Sequence, residues 1–212
     1  MERNQENKVR NGQVFSNRDF ARCVQFHGHR CPGLAIGFQA AKTLMKRLGV
    51  RKAPDEELLA IVETDACGAD AIQVMTGCTF GKGNFVFKNY GKHAFSLLDR
   101  HKGKGIRVCL LPNVFESDPE YLPLSEKVQS DEASAKETKR FGQLQQDRVQ
   151  KILKADPESL FKIVKIPADT PAKARIVKSG ICDLCGELTK VDLLHSRNGK
   201  RLCIPCAELD NI

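Results

Sequence analysis

Residues 84–111, NFVFKNYGKHAFSLLDRHKGKGIRVCLL, decide the fold class. Three strand-like runs lie in this stretch, at 84–90, 94–99 and 106–111. Gly91 and the turn from Gly103 to Gly105 separate them, as expected of an antiparallel meander. Just upstream, 58–64 (LLAIVET) reads as a buried strand, and Asp65 opens a turn into a helix from Ala66 to about Met75 that breaks at Gly77. Further upstream lie two helices. Ser16-Asn17 can cap the first, whose inward positions Phe20, Cys23, Val24 and His27 follow the 3.6-residue period up to Gly28. Pro32, favoured at a first helical position, starts the second, which presents Leu34, Phe38, Ala41, Met45 and Leu48 and stops at Gly49. Helices first and strands grouped later mean α+β, helices packed on a mainly antiparallel sheet, rather than alternating α/β.

Downstream, 116–130 reads as loop, with Pro119 and Pro123. Residues 131–155 carry a helical stripe of Phe141, Leu144, Val149, Ile152 and Leu153, ended by Asp156-Pro157. FKIVKI at 161–166 is strand-like and belongs to the core. PADTPAKAR, from Pro167, reads as a linker. The sequence thus divides into a core (1–166), a linker (167–178) and a small C-terminal unit (179–212).

That last unit carries Cys182, Cys185, Cys203 and Cys206 in the spacing Cys-x2-Cys-x17-Cys-x2-Cys. Each Cys-x-x-Cys turn aims two thiolates at one ion, and two turns complete a tetrahedron, so this is a zinc ribbon. Gly186 suits the first tight turn, and Asn198-Gly199 is a hairpin signal between the pairs. Paired redox Cys-x-x-Cys motifs would sit at strand-to-helix junctions, which this segment lacks. His195 lies between the pairs as an alternative ligand. A closed four-thiolate site is structural, and in so small a unit the metal supplies much of the folding energy.

The chain of 212 residues has nine cysteines, 41% hydrophobic residues and a net charge of +8. The charge permits nucleic-acid contact without demonstrating it, since four thiolates and one zinc ion leave the ribbon only mildly basic. Its exposed basic candidates are Lys190, Arg197, Lys200 and Arg201. No apolar run approaches the roughly 18–20 residues that span a bilayer, and the polar start is no secretory signal. The expectation is a cytoplasmic protein without membrane contact, in which an odd number of cysteines is no disulfide framework. Cys23 and Cys109 read as packed hydrophobes.

Two further clusters carry chemistry. In His27-Gly28-His29-Arg30-Cys31-Pro32-Gly33, Cys31 stands at a helix start, where free amides and the helix dipole favour thiolate and lower its pKa. Three readings stay open: metal ligation by part of the cluster, a nucleophile, or a packed cysteine beside a helix-capping histidine. The second cluster runs from Glu63 through Asp65, Cys67 and Asp70 to Cys78, with helix capping expected of at least one aspartate. GCTFGKGN, 77–84, is not a Walker A loop, because three residues separate Gly77 from Gly81 and Gly83 follows Lys82. Anion binding by it stays open.

At FHGHRCPGLAIGFQAA (26–41), ETDACGADAIQVMTGCTFGKGNF (63–85) and KNYGKHAF (88–95), the chain closely resembles the FmdE family of formylmethanofuran dehydrogenase proteins, over roughly 15–166. The resemblance implies an α+β core, sometimes followed by a zinc finger, and a tightly intertwined homodimer. It also implies that His27, His29, Cys31, Asp65, Cys67, Asp70, Cys78 and Lys82 converge on one groove, where mixed His and Cys ligands suit a transition metal such as zinc. Nothing in the sequence marks a pterin site or ferredoxin-like cysteine runs. The leading expectation is a metal-binding protein, accessory to a molybdenum or tungsten formylmethanofuran dehydrogenase or engaged in metal handling. Its groove metal is held by Cys31 and a histidine, with Cys67 or Cys78. The alternative is a regulator whose ribbon contacts nucleic acid or a protein partner. A third is an enzyme with Cys31, Asp65 and Lys82 as catalytic candidates.

Overall fold

A computed structural model describes residues 15–115, 119–167 and 177–209. The chain divides into two compact units, Met1–Lys173 and Ala174–Ile212; most of the sequence-read linker lies outside the described residues. In the first unit the helices are α1 (Asn17–His27), α2 (Pro32–Leu48), α3 (Gly68–Thr76), α4 (Tyr121–Gln129), α5 (Ala135–Lys154) and α6 (Pro157–Leu160). The strands are β1 (Leu58–Val62), β2 (Phe85–Phe87), β3 (Ala94–Asp99), β4 (Lys104–Leu110) and β5 (Phe161–Pro167). Reciprocal Ser16–Asp19 bonds cap α1, and Gly28 and Gly49 end α1 and α2 in the left-handed conformation.

The five strands form one sheet in the order β2-β1-β3-β4-β5, antiparallel except for β2 against β1. The α+β class is therefore as read, but the meander is corrected: β1 lies between β2 and β3, and the first run shrinks to Phe85–Phe87. Asn84 is the cause. Fully buried, it donates from Nδ2 to the Asp55 and Leu58 carbonyls and accepts from the Thr79 amide, which fixes the start of β2 beside β1. The β1–α3–β2 crossover then makes that one pair parallel. The stretch read as loop is also corrected, because it contains α4. Pro123 sits in its first turn, where the missing N–H leaves no helical bond unmade, and Tyr121 stacks on Phe141 of α5 at 5.1 Å.

One face of the sheet, with Ala60, Val62, Phe95, Leu97, Ile106 and Val108, packs against α2 and forms the core. Gln39 of α2 crosses to α5 and donates to the carbonyls of Ile152 and Leu153 at 2.8 and 3.0 Å. On the other face Glu63, just past β1, reaches over β3 to Arg107 of β4 in a bidentate pair of 2.6 and 2.8 Å. A Cβ on Gly37 of α2 would overlap the backbone of Gly68 at the start of α3, and one on Gly68 would meet Phe95 Cζ at 2.9 Å. The two helices touch backbone to backbone.

Gly37→Ala is therefore expected to destabilise the fold by at least about 1–3 kcal/mol. Gly142→Ala in α5, where a new Cβ meets nothing within 4 Å, should stabilise by about 0.5–1 kcal/mol. Urea denaturation of the two variants distinguishes them, and equal effects would refute the close-contact account. The Arg107 hydrogen bonds, opposed by burial, hold the Glu63 carboxyl below its usual pKa. Folding lowers that pKa, so the pair's contribution is complete above the unfolded value of about 4.3. It fades as the pH falls through the lower folded value. At pH 7 Glu63→Gln should cost about 1–3 kcal/mol, and the gap to wild type should close on acidification. A gap of equal size at pH 7 and pH 3 would show that ionisation of Glu63 contributes nothing.

Candidate metal centres

In the C-terminal unit β6 (Ser179–Ile181) pairs with β7 (Leu188–Lys190), and β8 (His195–Arg197) pairs with β9 (Lys200–Leu202), followed by α7 (Ile204–Leu209). Gly186, Asn198 and Gly199 take positive φ at 75°, 48° and 75°, as the two turns require. Cys182 and Cys185 leave β6, Cys203 follows β9 and Cys206 lies in α7; their four sulfurs lie within 4.8 Å of one another. His195 is exposed and outside this group. The Cys185, Cys203 and Leu184 amides point at the Cys182 sulfur and pull its pKa down to about 6, which suits a thiolate ligand. With little besides Leu202, Ala207 and Leu194 as its apolar core, the unit fits a zinc ribbon. Among its basic residues, Arg197 donates to the Ala207 carbonyl at 3.0 Å and so braces α7.

The second cluster is built from three places in the core unit. Gly28 turns the chain out of α1 just after His27. Cys31, in extended conformation, is the N-cap of α2, and its sulfur accepts from the Leu34 amide at 3.4 Å. Past β1, Thr64 Oγ1 accepts from the Ala66 amide, and Cys67 precedes α3. A Cβ on Gly33 would lie 3.2 Å from Cys67 Cβ, so only glycine lets the starts of α2 and α3 abut without displacement. One ligand atom each from His27, Cys31 and Cys67 lies within 4.8 Å of the others. His27 Nε2 is 3.8 Å from Cys31 Sγ, and His27 Nδ1 is 2.7 Å from Asp70 Oδ2. The ionised carboxylate accepts, so Nδ1 carries the proton and Nε2 keeps its lone pair for a metal.

The remaining groove candidates lie elsewhere. His29 is exposed and tilted against His27, 4.4 Å between ring centroids, outside the trio. Asp65 is exposed. Cys78 is wholly buried, and that burial raises its pKa. It sits beyond α3's C-terminus, whereas the trio gathers at the N-termini of α2 and α3. Lys82 lines a separate cavity. Neither aspartate caps α3: no side-chain cap bond is made there, and Asp70 is engaged by His27. Its orienting role had no signal of its own in the sequence. The expected fall in the Cys31 pKa is also corrected. Burial pushes it up to about 11, outweighing the Leu34 amide, and the neighbouring Cys67 adds to the rise. Cys23 is packed as read, its pKa pushed up to about 12 chiefly by burial.

An α+β core with a histidine–dicysteine cluster, followed by a four-cysteine ribbon, defines a metal-binding protein of two units. The chain belongs to the FmdE family, described as "FmdE, Molybdenum formylmethanofuran dehydrogenase operon", which matches residues 26–162. It is 33% identical over 204 residues, 93% of its length, to a "Probable S-adenosyl-L-methionine-binding protein" of Archaeoglobus fulgidus. It spans about half of that relative, 54%. The fold is similar to the crystal structure of an FmdE-like protein of tungsten formylmethanofuran dehydrogenase from Syntrophus aciditrophicus. The TM-score is 0.59 and the identity 24%, with 94% of this chain and 96% of the other covered.

Stripping metal from the whole chain with a chelator should melt the ribbon and leave the helical core. Amide protection at residues 179–209 is expected to disappear while the far-ultraviolet circular dichroism of the core persists. Cys203→Ser should do the same. Unchanged protection in metal-free protein would refute a metal-dependent ribbon.

Proposed function

We propose that this FmdE-family protein carries two metals of different kind and serves as a metal-handling accessory to a redox metalloenzyme. The ribbon holds a structural zinc through its four cysteines. The core holds an exchangeable transition metal, zinc in the first instance, through His27, Cys31 and Cys67. The observation that carries this reading is the histidine–dicysteine cluster with His27 already oriented by Asp70. A buried thiol with a raised pKa is poorly suited to act as a free nucleophile, whereas a metal displaces the thiol proton and turns the same sulfur into a ligand. Three protein ligands leave a tetrahedral ion one open position, which separates this site from the saturated ribbon. A metal there supplies Lewis acidity and a place for an incoming donor. S-adenosyl-L-methionine binding stays with the archaeal relative, since the chain spans only about half of it.

Metal analysis of anaerobically purified protein should give two ions per chain, falling to one in Cys31→Ser. Asp70→Asn should weaken the core site about 10–100-fold and leave the ribbon untouched. Cobalt substitution distinguishes them, since sulfur-to-cobalt absorption is stronger for four thiolates than for two. A single ion per chain, unaffected by Cys31→Ser, would overturn the proposal.

A further inference from the structure

The loop GCTFGKGN, 77–84, takes no part in either metal cluster. It forms one side of a cavity of about 840 Å³, to which it contributes Gly77, Thr79 and Lys82. The segment before β1 adds Lys52 and Pro54, α1 adds Arg22 and Phe26, and α3 adds Val74. Gly77 makes this assembly possible. At φ 77° it ends α3, and a Cβ there would overlap the Ala53 carbonyl oxygen. The segment therefore lies directly against the helix end, where the Ala53 amide donates to the Thr76 carbonyl at 2.9 Å.

Three cations are thereby gathered around one cavity that no aspartate or glutamate lines. Arg22 is shared with Asp19 at 3.5 Å. Lys52 and Lys82 make no ion pair among the described residues. Phe26, Pro54 and Val74 give the cavity an apolar part, and Phe26 is 60% exposed, a large aromatic surface available to a ligand. The volume falls in the range of small-molecule sites, about 300–1,000 Å³.

We propose that this cavity binds a small amphipathic oxyanion. Its phosphate, carboxylate or sulfonate group lies between Lys52 and Lys82, and its apolar body lies against Phe26, Pro54 and Val74. The lysines attract and orient the anion, while burial of the apolar body supplies area-dependent affinity. His27 and Asp70 tie together the same two helices, α1 and α3, yet neither lines the cavity. The inference therefore does not rest on the core metal.

The test uses the full chain and the fluorescent anion 8-anilinonaphthalene-1-sulfonate. One dye should bind per chain, and Lys52→Met/Lys82→Met should weaken it at least tenfold, with thermal melting confirming that the variant is folded. Lys165→Met on β5 should leave it unchanged. Octyl phosphate should displace the dye at concentrations where inorganic phosphate and neutral octyl glucoside do not. S-adenosyl-L-methionine, whose sulfonium is cationic, should not displace it. Dye affinity unchanged in the double lysine variant would overturn the proposal, leaving an apolar patch only. Equal displacement by inorganic and octyl phosphate would overturn the amphipathic class. Preferential displacement by S-adenosyl-L-methionine would overturn the charge argument. Cys31→Ser should bind the dye as wild type does, which separates this test from the metal reading.

Discussion

The core unit depends on one steric constraint, the backbone contact between α2 and α3. Gly37 and Gly68 remove the side chains that would hold the helices apart, and Gly33 does the same opposite Cys67. Ordinary helix pairs keep their axes 8–10 Å apart, and side chains at these positions would keep the helix starts from abutting. Here the N-terminus of one helix meets that of the other, so the residues before them, Cys31 and Cys67, face a common point. The ligand geometry is thus a consequence of packing. Its fixed positions come from elements that the hydrophobic core already holds.

That origin explains the balance of forces on Cys31. A helix start favours a thiolate through its unpaired amides, and the Leu34 amide does approach the sulfur. The contact that brings Cys31 to Cys67 also removes it from water and sets a second sulfur beside it. Both changes disfavour charge, and together they outweigh the amide. The ribbon shows the opposite balance, since several amides converge on Cys182 in a unit too small to desolvate it strongly. Local backbone geometry governs one cluster and tertiary burial the other.

This difference sets what the sequence made legible. The ribbon ligands, the Asn198-Gly199 turn and the boundaries of α1 and α2 follow from short-range spacing and capping. The helical start at Pro32 and the end at Gly49 are local rules obeyed without tertiary override. The inner order of the sheet was not legible. Asn84 fixes it through carbonyls at Asp55 and Leu58, more than twenty residues away in the chain, and no periodicity reports such a bond. In the same way α4 was hidden because a proline in its first turn looks like one in a loop. In the candidate site the trio's members were among those named, but their selection was not. Which of His27, His29, Cys67 and Cys78 lies beside Cys31 depends on helix contacts made by glycines, whose role is to be absent from the contact.

The Gln39 bonds to the end of α5 have a further consequence. The last carbonyls of a helix have no partner within it, and here α2 supplies one from more than a hundred residues away. The end of α5 is therefore completed only in the assembled core. Fraying of α5 exposes carbonyls that Gln39 had satisfied and leaves the buried Gln39 amide without acceptors. Opening at this point carries a cost on both sides of the contact. α2 and α5 should accordingly open as one cooperative unit rather than as separate helices, and the helix that begins at Cys31 shares that unit's stability.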